Sequence, residues 1–237
     1  MNIETLKSNI YNLPSDMKNS VLAVYLYGST ARNDSDDYSD CDILFVIANC
    51  SDLQQLAFKK SLGKWDYELP IEFSIYQIDS IARMHKKGSY YLWHLKTEGI
   101  ELFSTNSVVK NLLDTLPRYT GTKEDFYEYR VILDDIFESL SNRNADLMYE
   151  LSVLATVVRN TCIGLCYLKN HLDFGRRSSV KWCIDQWGDR IPFTMSEYDV
   201  LYKYRFAMNR GLVIPKCSDY NFVFGWINNA RALLDLK

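Results

Sequence analysis

The stretch VLAVYLYGS at 21–29 is apolar, β-branched and aromatic until it stops at Gly-Ser, as a buried strand entering a tight turn does. A polar stretch, TARNDSDDYSD, follows, with turn chemistry at Asn33-Asp34 and Asp36-Asp37. CDILFVIA at 41–48 is then a second apolar strand. This pair commits the front of the chain to a sheet. Residues 51–65 open with Ser51-Asp52, good cap chemistry, and repeat their apolar residues at helical spacing. After Pro70, IEFSIYQI reads as a third strand with Glu72, Ser74 and Tyr76 on one face. Residues 3–12 suit a short helix closed by Pro14, Asp79-Ser80 can cap a helix through about residue 97, and GIELF at 99–103 suits a fourth strand.

From about Thr122 every long segment favours helix by length and apolar spacing, and LPRYTGTKED at 116–125 reads as a linker. Domains at 1–117 and 118–237 are expected. At 47% hydrophobic and 24% charged residues, the 237-residue chain can build a sizeable core. Its net charge of −3 argues against coating nucleic acid or an anionic membrane, although a local basic groove stays open. No run of about 18 consecutive apolar residues occurs, and the start lacks the apolar core of a secretory signal. A cytoplasmic protein is the expectation. Six cysteines form no CxxC pair and lie far from the three histidines, so they read mostly as small buried hydrophobes rather than zinc ligands.

The chemistry concentrates in Gly28-Ser29 and, after ten intervening residues, Asp40-Cys41-Asp42. Alternation along a strand puts Asp40 and Asp42 on one face, with Cys41 and Ile43 on the other. Two carboxylates so close repel unless a cation sits between them, and magnesium commonly bridges carboxylates to phosphate oxygens. Gly28 permits the turn, and the Ser29 hydroxyl can meet a phosphate or simply close the turn. Glu72 is an acid in an otherwise apolar strand, and pairing of that strand beside 41–48 would bring it to the aspartates. Three acids on apolar strands without a task would cost several kcal/mol each to bury, which favours a metal-binding triad. Asp34, Asp36 and Asp37 read as a solvated strand end.

This pattern over residues 20–80 resembles the signature of the DNA-polymerase-β-like nucleotidyltransferase superfamily, whose members include aminoglycoside adenylyltransferases and minimal nucleotidyltransferases paired with helical toxin partners. The resemblance implies an α+β fold: a small mixed sheet flanked by helices, followed by an all-α bundle. It implies that Asp40 and Asp42 hold magnesium, two ions in all, on the triphosphate of ATP. Glu72 would complete the metal site or take the proton of the attacking hydroxyl. It also implies a lysine on the phosphates near Lys181, which follows Arg176, Arg177, Ser178 and Ser179 at a helix start; a solvated helix face is the other reading. Arg159 lies in an apolar helix and could meet the nucleotide or pair with an acid. Asp134, Asp135 and Glu138 suit either an acidic cleft for a cationic acceptor or plain surface exposure. Tyr198, Tyr202 and Phe206 at four-residue spacing suit core packing.

Three functions follow as expectations. The first is transfer of AMP from ATP to a small-molecule hydroxyl such as that of an aminoglycoside, an antibiotic-resistance activity. The second is modification of a protein or RNA in a toxin–antitoxin or phage-defence system. The third is an inactive nucleotide- or partner-binding module. Homodimerisation stays open.

Overall fold

The computed structural model describes residues 3–35, 39–63 and 71–236. The chain divides into two compact units, Met1–Thr120 and Gly121–Lys237. The first contains α1 (Ile3–Tyr11), α2 (Ser15–Lys18), β1 (Val21–Tyr27), α3 (Gly28–Arg32), β2 (Cys41–Ile47), α4 (Asp52–Leu62), β3 (Ile71–Gln77), α5 (Ile78–Lys86), α6 (Tyr90–Glu98), β4 (Ile100–Ser104) and α7 (Val108–Asp114). The strands form one mixed sheet in the order β3-β2-β1-β4, with β1 antiparallel to β2 and β4, and β2 parallel to β3.

Both faces of the sheet are covered. Val24, Leu26, Ile43 and Phe45 pack with Leu6 and Ile10 of α1 and with Phe58 and Leu62 of α4. The alternate residues, Ala23, Tyr25, Tyr27, Leu44 and Val46, pack with Ile81 of α5, Leu92 and Leu95 of α6 and Val109 of α7. This period-two division makes β1 and β2 continuous apolar runs in sequence, because neither face meets water.

Several expectations need adjustment. The first strand stops at Tyr27, and Gly28–Arg32 is a one-turn helix rather than loop, ended by Asn33 in the left-handed conformation. The helix expected from Asp79 to 97 is two helices. Its first part starts at Ile78 after extended Gln77, and Gly88, with φ of 64°, ends it before Ser89 caps α6 through Tyr91 N–H. α2 and α7 are too short to show a clear period and were not expected. Residues 64 and 65 of the helix expected over 51–65, Pro70 and the Asp36-Asp37 turn lie outside the described residues.

The second unit comprises α8 (Thr122–Ser141), α9 (Leu147–Leu168), α10 (Ser178–Trp187), a 3₁₀ turn at Gly188–Arg190, α11 (Met195–Arg210) and α12 (Tyr220–Leu234). α9 is the central helix. Fifteen of its residues are buried, including Cys162 and Cys166, and α8, α10, α11 and α12 pack around it. By length and composition it could span a membrane, yet 72% of its most apolar window is buried inside the protein. Asp146 caps it by accepting from Met148 and Tyr149 N–H, and Thr194 with Glu197 forms a capping box on α11. Tyr198 and Tyr202 are buried and Phe206 packs beside them, as the spacing predicts.

Candidate active site

β1 breaks at Gly28, whose φ of +73° is one that side chains rarely adopt. A Cβ at this position would also collide with Asp42 Oδ2 and reach 3.0 Å from its Cγ. Glycine is thus required twice, for the turn and for the approach of the acid to the turn. The antiparallel register sets Asp42 opposite Tyr27, and the parallel register sets it opposite Glu72. Tyr27, Asp42 and Glu72 therefore stand in one row across three strands. Asp40 precedes β2, and its carbonyl accepts from Thr30 Oγ1 at 3.2 Å, which ties the strand entry to α3.

The structure brings carboxylate oxygens of Asp40, Asp42 and Glu72 within 4.8 Å of one another. Asp40 and Asp42 are half-buried and Glu72 is exposed. An all-oxygen donor set of this kind, in a cradle that only glycine leaves open, fits a hard divalent cation such as magnesium. Ser29 sits half-buried in the first turn of α3, beside the acids, and its carbonyl accepts from Asp34 N–H at 3.1 Å. Cys41 points to the opposite, closed face, where it belongs to the core and burial pushes its thiol up to about 12.

Behind the acids lies a layer that the sequence did not disclose. Tyr27 OH and Ser74 Oγ share a hydrogen bond of 3.1 Å, so the phenol crosses β2 to reach β3. Tyr91 and His94 of α6 pack edge-on to its ring, each at 5.7 Å. Burial pushes the Tyr27 hydroxyl up, and the nearby Asp42 and Glu72 charges add to this. Arg32 reaches Glu98 at 2.6 Å and Asp34 at 3.1 Å, while His94 Nε2 lies 2.8 Å from Glu98. The i, i+4 spacing of His94 and Glu98 was visible in sequence; their partner more than sixty residues earlier was not.

The remaining candidates belong to the second unit. The Arg159 guanidinium donates to the Phe174 carbonyl at 3.0 Å rather than to a carboxylate, and its Nε is buried without a partner. Lys181 is exposed on α10. Around the start of that helix Arg177 pairs with Asp199 at 2.8 Å, and Asp173 accepts from Gly175 N–H and Ser178 Oγ at 2.8 and 2.7 Å. Asp134, Asp135 and Glu138 are exposed, with Asp134 paired to Arg231 at 2.6 Å.

The four-stranded mixed sheet, the Gly-Ser turn and the carboxylate row define the class. Residues 12–107 match the family model of the polymerase β nucleotidyltransferases, and this part of the chain is a nucleotidyltransferase domain of that family. A solved structure similar to the whole chain is the spectinomycin adenyltransferase AAD(9) from Enterococcus faecialis with ATP and spectinomycin. It shares 14% identity over 97% of this chain and 98% of that one, with a TM-score of 0.53, which establishes a common fold. A toxin–antitoxin structure with AMP-PNP aligns over 58% of this chain and 99% of its own at 18% identity and a TM-score of 0.34. No curated protein matches the chain in sequence.

Proposed function

We propose that the chain transfers AMP from ATP to a hydroxyl of a small molecule, releasing pyrophosphate. The convergence of Asp40, Asp42 and Glu72 beside the Gly28-Ser29 turn carries this reading. Asp40 and Asp42, the half-buried pair, would hold magnesium, two ions with Glu72 as a further ligand. Bound there, the metal supplies positive charge to the triphosphate oxygens and to the developing transition state. Ser29 and the α3 amides would meet the phosphate chain. Glu72 is the exposed member of the triad, which suits it to receive an incoming acceptor. In the transfer, the acceptor oxygen bonds to the α-phosphorus, its proton passes to the Glu72 carboxylate, and the bond to the pyrophosphate oxygen breaks.

The fold shared with an adenyltransferase seen with ATP and spectinomycin supports the reading of ATP as donor and a small molecule as acceptor. A cytoplasmic location, with ATP at hand, accompanies the reading. The test is incubation with ATP, magnesium and either an aminoglycoside panel or cell extract, followed by mass spectrometry. An adenylyl group on a small molecule is expected; one on a protein or RNA would move the acceptor to the toxin–antitoxin class. Asp40→Asn and Asp42→Asn keep side-chain size, and either should lower pyrophosphate release roughly a hundredfold or more, since each 1.36 kcal/mol is about tenfold in rate. Undiminished release from folded variants would overturn catalysis.

A further inference from the structure

Glu98 occupies a costly position. It is the last residue of α6, where the carbonyl end of a helix disfavours an anion, and its side chain is only 9% exposed. Two cation-capable groups meet it on one oxygen: Arg32 NH1 at 2.6 Å and His94 Nε2 at 2.8 Å, both on Oε2. Arg32 in turn uses its Nε on Asp34 Oδ2 at 3.1 Å. The guanidinium thus fastens the end of α3 to α6. A one-turn helix has too few internal hydrogen bonds to hold itself in place, so this outside grip matters. α6 also grips the other side of the turn, because the His94 ring packs at 82° and 5.7 Å against Tyr27, the residue before Gly28.

From this arrangement we infer that Glu98, backed by His94, is a positioning residue for nucleotide binding, acting through Arg32 to fix the Gly28-Ser29 turn. The inference rests on the reading of that turn as the triphosphate site. An aspartate or glutamate placed only to solubilise α6 would sit in water. This one is enclosed and joins α6 to α3.

Calorimetric titration of magnesium-ATP into the full chain tests the idea, using wild type, Ser29→Ala, Glu98→Gln and the double variant. All are compared at a temperature where circular dichroism shows them folded. Glu98→Gln keeps the shape and removes the charge; Kd should rise about tenfold, as loss of a charge-assisted hydrogen bond permits. Ser29→Ala should weaken binding comparably, and the double variant should be no weaker than about twofold beyond the worse single, since both act on one turn. A lower melting temperature with unchanged Kd in Glu98→Gln would overturn the inference and leave a structural brace. Additive losses would overturn the route through the turn. Unchanged binding by Ser29→Ala alone would overturn the underlying reading of the turn instead. If Glu98→Gln does not fold, Arg32→Lys replaces it, keeping the charge but losing the fork, with the same expected Kd.

Discussion

Asp42 and Gly28 constrain each other. The aspartate can stand beside the turn only because position 28 has no side chain, and the turn closes only because its φ is positive. Gly28→Ala should therefore lose both transfer activity and stability, the strained backbone alone costing about 1–3 kcal/mol. Shortening the opposing residue is a direct check: Gly28→Ala with Asp42→Ala should recover part of the lost melting temperature and none of the activity. Equal melting temperatures in the single and double variants would show that the collision is not what matters. At Glu98, burial pushes the carboxyl up, but the bonds from His94 and Arg32 outweigh it and leave it below its ordinary range. A carboxyl depressed in the folded state contributes stability that is complete above its unfolded value, about 4.3. That contribution is lost as pH falls through the folded value. Thermal melts between neutral pH and pH 3 should show a drop on the acid side that is smaller in Glu98→Gln.

Among elements, the first two strands and the five long helices were legible because their apolar spacing is long and unbroken. The acids of the site were legible because charge on an apolar strand needs a reason. What escaped were elements decided by one backbone angle: the helix at Gly28–Arg32 and the break at Gly88. Long-range side-chain layers escaped too, since nothing near Tyr27 or Arg32 names Ser74 or Glu98 as partner. Gly164 is a similar hidden constraint. On α9 it faces α8, and a Cβ there would come to 2.6 Å from Phe126 Cε1 and 3.3 Å from Thr122 Cγ2. Gly164→Ala gains helix propensity of about 1 kcal/mol but overpacks the crossing at a cost of about 1–3 kcal/mol. The net expectation is a lower melting temperature, reversed when Phe126→Leu gives way. A stabilised Gly164→Ala single variant would mean that the Phe126 ring moves freely.

At the scale of the molecule, each unit carries its own core: a sheet lined on both faces in one, a bundle around α9 in the other. The bundle closes late in the chain, because Val223, Trp226, Ile227 and Ala230 of α12 complete the layer around α9. A chain shortened to end after Trp187 should consequently expose apolar surface; strong binding of a hydrophobic dye and aggregation are the expected readouts, and a monodisperse fragment would count against this account. The same helix has a consequence in time. α9 is synthesised before α11 and α12, and synthesis at about 5–20 residues per second leaves it without its last partner for several seconds. During that interval the nascent chain carries an apolar helix whose covering partners are still missing, the kind of transiently exposed surface that favours aggregation and calls on chaperones.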